Sequence, residues 1–386
     1  MSPVATSKPR VLQVITKLDV GGAEVVALGI MSALHEHVDF AVATVIDPRN
    51  PSPVGRDMRA RLAALRVPIF PGAKGHFKTG GVVRSALKLA RAVARFKPEV
   101  VHLHTEMPEL TWAVAGLLSR QVRQVTVLRT VHNCELWIAW GGIGRWVTQR
   151  LAGSRTVAVS HAAANADAAI KTRTRRPLAR VIYNGVPAPA IDKHESAVDG
   201  VGPCRVLFAG RFIEQKAPDL LPAILVAAHR QTHRRDVQVT LAGTGPMEAG
   251  LRAAITGLAP GWRVEITPPI ERLQSRLAEY DVVIMPSRYE GFGLLALETL
   301  LAGVPLIATH APGLAEVLPD GYVFSAPVDD AESLGRLLAQ VIEDPTAARA
   351  LVRGGRDPLA RRFSPQAMVL GYALEYGLAL SAKDFE

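Results

Sequence analysis

The chain reads as an α/β protein of two parallel-sheet domains facing a central cleft. Three observations predict this. Short apolar strands alternate with helical runs from residue 11 almost to the end. One polar, Pro- and Gly-rich stretch, PAPAIDKHESAVDGVGP at 187–203, interrupts the alternation. The length of 386 residues, with 48% apolar and 21% charged content, suits two globular domains of ordinary size. Strands and helices at this spacing imply parallel sheets with right-handed crossovers, and ligands then bind outside the carboxyl ends of the strands. The expected boundaries are 1–186, a linker at 187–203, 204–364, and a C-terminal helix within 365–386 packing back on the first domain.

Composition excludes several classes. No apolar run reaches the roughly 20 residues of a membrane span; Leu294 to Ala308 comes nearest and is broken by Glu298 and Pro305. The N-terminus MSPVATSKPR has no apolar core and does not read as a secretory signal. Cys134 and Cys204 lie far apart, which fits a reducing compartment and argues against a thiolate zinc site. Residues 1–185 hold 26 Lys+Arg against 11 Asp+Glu, net +15, whereas residues 186–386 hold 19 against 24, net −5. An anionic partner for the first half follows: a membrane surface or a phosphorylated substrate. Nucleic acid ranks last, because its motifs are missing and aromatic content is 5%.

The first half opens with strand VLQVIT (11–16), the turn Gly21-Gly22 and a helix from about Ala23 to Leu34. A glycine turn between strand and helix lets a ligand approach the backbone. Strand VDFAVATVI (38–46) follows. Residues 82–97 form a basic amphipathic helix, with Arg84, Lys88, Arg91 and Arg95 at three- and four-residue steps and Leu87, Ala90, Val93 and Ala94 between them. The plain reading is a surface helix packed on a sheet; contact with an anionic membrane is the alternative. PEVVHLHT (98–105) is a buried strand ending in His102-x-His104, both on one face, and QVTVLRTVH (124–132) ends at His132. His104 and His132 are placed to reach a ligand at the strand ends. Trp137, Trp140 and Trp146 with Gly141-Gly142 read as a mobile apolar flap that could serve as core, acceptor wall or membrane anchor. Strand RTVAVS (155–160), basic KTRTRRPLAR (171–180) and VIYNGV (181–186) complete this half.

The second half begins with CRVLFAGRF (204–212), a strand leading to Gly210-Arg211, with Lys216 before a Pro-Asp helix start. VQVTLAGTGP (237–246) is a strand ending in Gly243-Thr244-Gly245, with a helix from about Met247. RVEIT (263–267) precedes Pro268-Pro269 and a helix at 270–279. Then comes YDVVIMPSRYEGFGLLALETLLAGVPLIA (280–308): a buried strand, the turn Glu290-Gly291-Phe292-Gly293 and a helix from Leu294 to Leu301. Free N–H groups and the positive dipole end at such a helix start make an anion site. Glu290 and Glu298 flank the turn with seven residues between them, so both can face one ligand. A turn at Ala311-Pro312-Gly313-Leu314, a helical start at Ala315-Glu316, strand GYVFS (321–325) and several helices follow, the last from about Pro365 to Ala382. Asp329-Asp330 reads as a helix cap, not as a metal motif.

These motifs, taken in order, resemble family-4 glycosyltransferases of GT-B architecture, two Rossmann-like domains about a cleft. The resemblance rests on Gly21-Gly22-Ala23-Glu24, His132, Asn184-Gly185-Val186, Gly210-Arg211 with Lys216, Gly243-Thr244-Gly245-Pro246, and above all Glu290-x7-Glu298, and it spans nearly the whole chain. It implies a donor that is a nucleotide-diphosphate sugar. Glu298 would hold the ribose hydroxyls and Glu290 the sugar hydroxyls. Backbone N–H groups around Gly291, Phe292, Gly293, Leu294 and Leu295, with Gly21 and Gly22, would contact diphosphate and sugar, and Gly243 would line the donor site. Arg211 and Lys216 would neutralise the diphosphate, and His132 would sit near the donor sugar. It further implies transfer with retention of anomeric configuration. With no Asp-x-Asp motif, the cations replace a metal and no cofactor is expected. Pro268-Pro269 stands where family members often have a glycine turn near the base, and His102-x-His104 takes no catalytic role.

The expected acceptor is a lipid-linked or cell-envelope glycan, from the +15 half, the basic helix and the tryptophans. A sugar-nucleotide epimerase, a transferase acting on a soluble acceptor and a non-catalytic sugar-nucleotide binder are the alternatives. The expected location is the cytoplasm, with the inner membrane face as a candidate peripheral site.

Overall fold

The computed structural model describes residues 8–19, 21–74, 80–170, 178–189 and 202–385. Most of the interdomain stretch 187–203, and residues 171–177 of the basic stretch, lie outside the described residues. The chain divides into two compact units: residues 1–185 with 365–386, and residues 186–364.

The first unit contains β1 (Arg10–Ile15), α1 (Gly22–Leu34), β2 (Asp39–Thr44), α2 (Pro53–Ala64), β3 (Ile69–Phe70), α3 (Val82–Phe96), β4 (Val100–His104), α4 (Glu106–Leu118), β5 (Thr126–Val131), α5 (Gly142–Arg150), β6 (Arg155–Ala158), α6 (His161–Ile170) and β7 (Arg180–Val181). Among the described residues its strands form one seven-stranded sheet in the order β3-β2-β1-β4-β5-β6-β7. Every pairing is parallel. Central strands are buried along their length, as helices on both faces of a parallel sheet require. The second unit contains β8 (Cys204–Ala209), α7 (Leu221–Gln231), β9 (Val237–Ala242), α8 (Glu248–Ala254), β10 (Arg263–Thr267), β11 (Val282–Met285), α9 (Leu294–Leu301), β12 (Leu306–Thr309), β13 (Ser325–Ala326), α10 (Ala331–Glu343), α11 (Pro345–Gly354) and α12 (Arg356–Arg362). Its parallel six-stranded sheet runs β10-β9-β8-β11-β12-β13. The last α-helix, α13 (Pro365–Glu375), belongs to the first unit and packs against α1. Asp330 caps α10 by accepting from Ser333 N–H at 2.9 Å.

In each sheet the strand order reverses once, between β1 and β4 and between β8 and β11. At such a reversal the loops leave in opposite directions and open a crevice outside the carboxyl ends. Gly21-Gly22 and the His104-Thr105 end of β4 flank the first reversal. Gly210-Arg211 and the 286–293 loop flank the second.

Several sequence expectations change. The tryptophan segment is not a flap. Trp137 is buried among Trp112, Val147 and Leu151, with Trp140 and Trp146 packed against that core. Hydrophobic content without a strong period could not separate a lid from a core layer. His102 and His104 are fully buried, so neither faces an open strand end. Leu87 is 41% exposed on the same side of α3 as the basic residues, while Ser85, Ala86, Leu89, Ala92 and Val93 form the buried side. Ala315-Glu316 lies in successive turns and starts no helix, residues 273–279 are a 3-10 helix, and α13 stops at Glu375. Among the described residues no helix is long and apolar enough to cross a membrane.

Candidate active site

Buried β11 ends at Met285, and the chain turns through Pro286-Ser287 into the loop before α9. Glu290 is 5% exposed. Its Oε1 accepts from Lys216 Nζ at 2.5 Å and from Ser287 Oγ at 2.8 Å. A buried carboxylate needs such donors to stay ionised. Lys216 comes from the loop after β8, whose 3-10 turn ends at Ala217 in the left-handed region, φ 49°. Arg288 ties the two loops together. It holds Asp219 by both oxygens (2.7 and 3.0 Å), Asp329 Oδ1 at 2.8 Å and the Glu214 carbonyl at 3.1 Å. The paired carboxylates hold the Arg288 guanidinium well above its ordinary pKa, Asp219 contributing most.

The glycine turn is set by contacts rather than by flexibility. Gly293 is the N-cap of α9 at φ 89°. Gly313, φ 77°, faces the Glu290 carbonyl so closely that a Cβ there would lie 2.1 Å from it. Glu290 N–H donates to Pro312 O at 3.0 Å and Thr309 Oγ1 to Ser287 O at 2.5 Å, so the end of β12 buttresses the loop. Phe292 buries its ring edge-on against Phe363, centroids 5.4 Å apart. Glu298, in the second turn of α9, accepts from Gln274 Nε2 at 2.8 Å, and desolvation pushes its carboxyl up to about 7.

The remaining expected residues of this unit stand apart. Arg211 is exposed and makes no ion pair among the described residues. The Gly243 N–H donates to Thr267 O at 3.0 Å, and a Cβ on Gly243 would lie 1.9 Å from Gly210 O. Glycine at 243 therefore serves the close approach of two loops. A cavity of about 600 Å³, lined among others by Thr240, Glu265, Thr267, Pro268 and Tyr280, runs beside β9 and β10, away from the Lys216–Glu290 pair.

In the first unit Gly21 is the N-cap of α1 in extended conformation, and the Glu24 carboxylate lies against it. Burial raises the Glu24 carboxyl above its ordinary value. His132, just past β5, is half-buried and bonds through Nε2 to His104 Nδ1 at 2.9 Å. Burial lowers the His132 imidazole to about 3, so it is neutral at physiological pH. Thr105 ends β4 at φ 72°, a costly conformation for a residue with a Cβ, and its hydroxyl meets Thr16 Oγ1 at 3.1 Å. Beneath these strand ends Arg129, 2% exposed, holds Glu109 bidentately (2.9 and 3.0 Å) and Asp167 at 3.5 Å. Among the described residues no group of three His, Cys, Asp or Glu side chains is set to hold a metal ion.

The sequence singles out Glu290, Lys216 and Glu298 but not their neighbours Ser287, Arg288 and Gln274, nor the Arg129 triad. Ser287-x-x-Glu290 was visible as a spacing. The others become meaningful only through distant partners.

Two Rossmann-like units that carry glycine turns, a buried Lys–Glu pair and a second carboxylate at their strand-order reversals have the architecture of GT-B glycosyltransferases. Residues 20–188 match the family described as Glycosyltransferase Family 4, and residues 203–344 match Glycosyl transferases group 1. An alpha-maltose-1-phosphate synthase of Mycobacterium tuberculosis is 30% identical over 313 residues, covering 72% of this chain and 78% of the relative. A glycogen synthase of the same organism is 29% identical over 325 residues, covering 79% and 74%. Among solved structures, Anabaena Alr3699/HepE superposes with a TM-score of 0.77 at 18% identity, over 96% of this chain and 99% of that one. Sucrose-phosphate synthase from Thermosynechococcus elongatus gives 0.73 at 20%, over 96% and 98%. The chain belongs to the family-4, group 1 glycosyltransferases.

Proposed function

We propose that this glycosyltransferase moves a sugar from a nucleotide-diphosphate donor to a hydroxyl of a lipid-linked or cell-envelope glycan, with retention and without a metal. The observation that carries the donor reading is the Lys216–Glu290–Ser287 cluster before α9, with Glu298 one turn into that helix. In transfer, the bond from the anomeric carbon to the diphosphate oxygen breaks. A new bond forms from the acceptor oxygen on the same face, and the acceptor proton passes to the departing phosphate oxygen. Negative charge grows on the diphosphate, and Lys216, Arg211 and the N–H groups of residues 291–295 are the groups that stabilise it. Gly21, Gly22 and Gly243 let backbone approach the donor. Glu290 accepts from sugar hydroxyls through the oxygen its partners leave available, Glu298 accepts from the ribose, and His132 contacts the donor sugar.

The Anabaena protein of like fold was crystallised with UDP and glucose and with UDP-glucose, which makes UDP-glucose the first donor to try. The acceptor reading is supported by the net +15 of residues 1–185 and by Arg84, Lys88, Arg91 and Arg95 along the exposed side of α3. Peripheral contact with the cytoplasmic membrane face belongs to this proposal. The decisive experiment is a panel of UDP-, GDP- and ADP-sugars with EDTA present, scored for transfer to a lipid-extract acceptor and for acceptor-free release of sugar. Transfer dependent on acceptor and indifferent to EDTA is expected. Free sugar and nucleotide at equal rates without acceptor would favour an epimerase or hydrolase, and a metal requirement would overturn the role given to the cations.

A further inference from the structure

The three histidines at the ends of β4 and β5 belong to one continuous hydrogen-bonded chain. His132 Nε2 lies 2.9 Å from His104 Nδ1, and His104 Nε2 lies 2.7 Å from Gln13 Oε1. Gln13 Nε2 donates to Tyr376 Oη at 2.8 Å. Tyr376 Oη lies 2.8 Å from His102 Nδ1, and His102 Nε2 lies 2.7 Å from Thr130 Oγ1. Gln13, His102, His104 and Thr130 are fully buried, and Tyr376 is 4% exposed. Water therefore does not compete for these bonds.

The proton positions follow from Gln13. An amide oxygen only accepts, so His104 carries its proton on Nε2. A neutral imidazole has one N–H, so His104 Nδ1 accepts and the proton between the two rings belongs to His132 Nε2. In the other direction the Gln13 amide donates to the Tyr376 oxygen, the Tyr376 hydroxyl donates to His102 Nδ1, and His102 Nε2–H donates to Thr130. Each bond of the chain then has one donor and one acceptor. Burial keeps all three rings neutral, with His102 and His104 well below 6.5, so no extra proton disturbs the order. Among the described residues, His132 Nδ1 has no hydrogen-bond partner.

We propose that Gln13 and His104 are positioning residues that lock His132 as the Nε2–H tautomer, so that Nδ1 offers a lone pair to a hydroxyl of the donor sugar. The proposal rests on the reading above that His132 meets that sugar. Its consequence is selectivity by hydrogen-bond sense: the group opposite His132 must donate, as a hydroxyl does and a carboxylate does not. Tyr376, just past α13, and Gln13, on β1, have no contact with the ligand in this reading and act only through His104.

The test is a long-range proton–nitrogen correlation spectrum of the intact protein with labelled histidine, His132 being assigned by its loss in His132→Gln. A neutral ring with its proton on Nε2 between pH 6 and 8 is expected, and a proton on Nδ1 would overturn the proposal without any engineered change. Gln13→Met removes the acceptor oxygen at nearly constant volume. It frees His104 to turn its proton toward His132, which then moves its own proton to Nδ1. We expect kcat to fall by about tenfold or more with donor KM within threefold, as loss of one oriented donor–acceptor contact predicts. If Gln13→Met does not fold, the spectrum of the unmodified protein alone decides the tautomer. An altered tautomer with unaltered kcat would also refute the assignment. If the wild-type protein turns over no nucleotide sugar, the functional reading fails, while the spectrum still decides the tautomer.

Discussion

Replacing Lys216 by Met tests the candidate site most directly, because the same atom serves stability and chemistry. Lys216 Nζ lies 2.5 Å from Glu290 Oε1, with the two side chains 20% and 7% exposed. Without the lysine, the buried carboxylate keeps only Ser287 as a side-chain donor. Breaking a buried pair this way costs about 3–5 kcal/mol when neither partner reaches water. Lys216 is one-fifth exposed, so the screened value falls near 2–3 kcal/mol. Glu290→Gln leaves Lys216 able to turn toward water and should cost only about 1 kcal/mol. In turnover, losing one preorganised cation at the departing diphosphate should lower kcat by about 100- to 1000-fold. Urea melts at pH 7 and kcat at saturating donor measure these effects. Equal stability losses in Lys216→Met and Glu290→Gln, or kcat within threefold of wild type, would refute the reasoning.

In the proposed donor site Glu298, raised to about 7 by desolvation, accepts from two ribose hydroxyls in its ionised form. UDP-glucose should therefore bind about tenfold more weakly at pH 6 than at pH 8, and Glu298→Gln should abolish the slope; calorimetry with this donor, whose esterified diphosphate keeps constant charge, checks it. Gly313→Ala puts a methyl where the Glu290 carbonyl stands and strains a φ of 77°, so it should cost about 2–3 kcal/mol by thermal unfolding and lower donor affinity. Arg84, Lys88 and Arg91 changed together to Ser should reduce sedimentation with anionic vesicles by about tenfold at low salt. Lys88 donates to Gly72 O at 2.6 Å, so a parallel melt separates loss of charge from loss of that bond.

Period and punctuation made both Rossmann-like halves legible. Fully apolar runs such as 282–285 can only be strands covered on both faces, and Gly21-Gly22, Gly243-Thr244-Gly245 and Glu290-x7-Glu298 mark strand-to-helix turns by local chemistry. Glu290, Lys216 and Glu298 could be singled out for the same reason, since a charge beside a glycine turn is visible in local sequence. The tryptophans were not readable, because an apolar residue has the same local signature in a core and in a lid. Nor were the histidines. A strand-terminal imidazole is a ligand contact if the strand end is open and a core group if a helix covers it, and here Tyr372 and Tyr376 at the far end of the chain close over His102.

The sequence by itself determined the class of protein, the order of its parallel strands along the chain and the residues at the turns, because those depend on neighbours a few positions apart. Only the tertiary structure decided which charges meet. Lys216 pairs with Glu290, 74 positions away; Arg288 ties Asp219 to Asp329; and His132 is linked through His104 to Gln13, on β1. Such partners are set by sheet order and loop contact, which bring together residues with no shared local pattern.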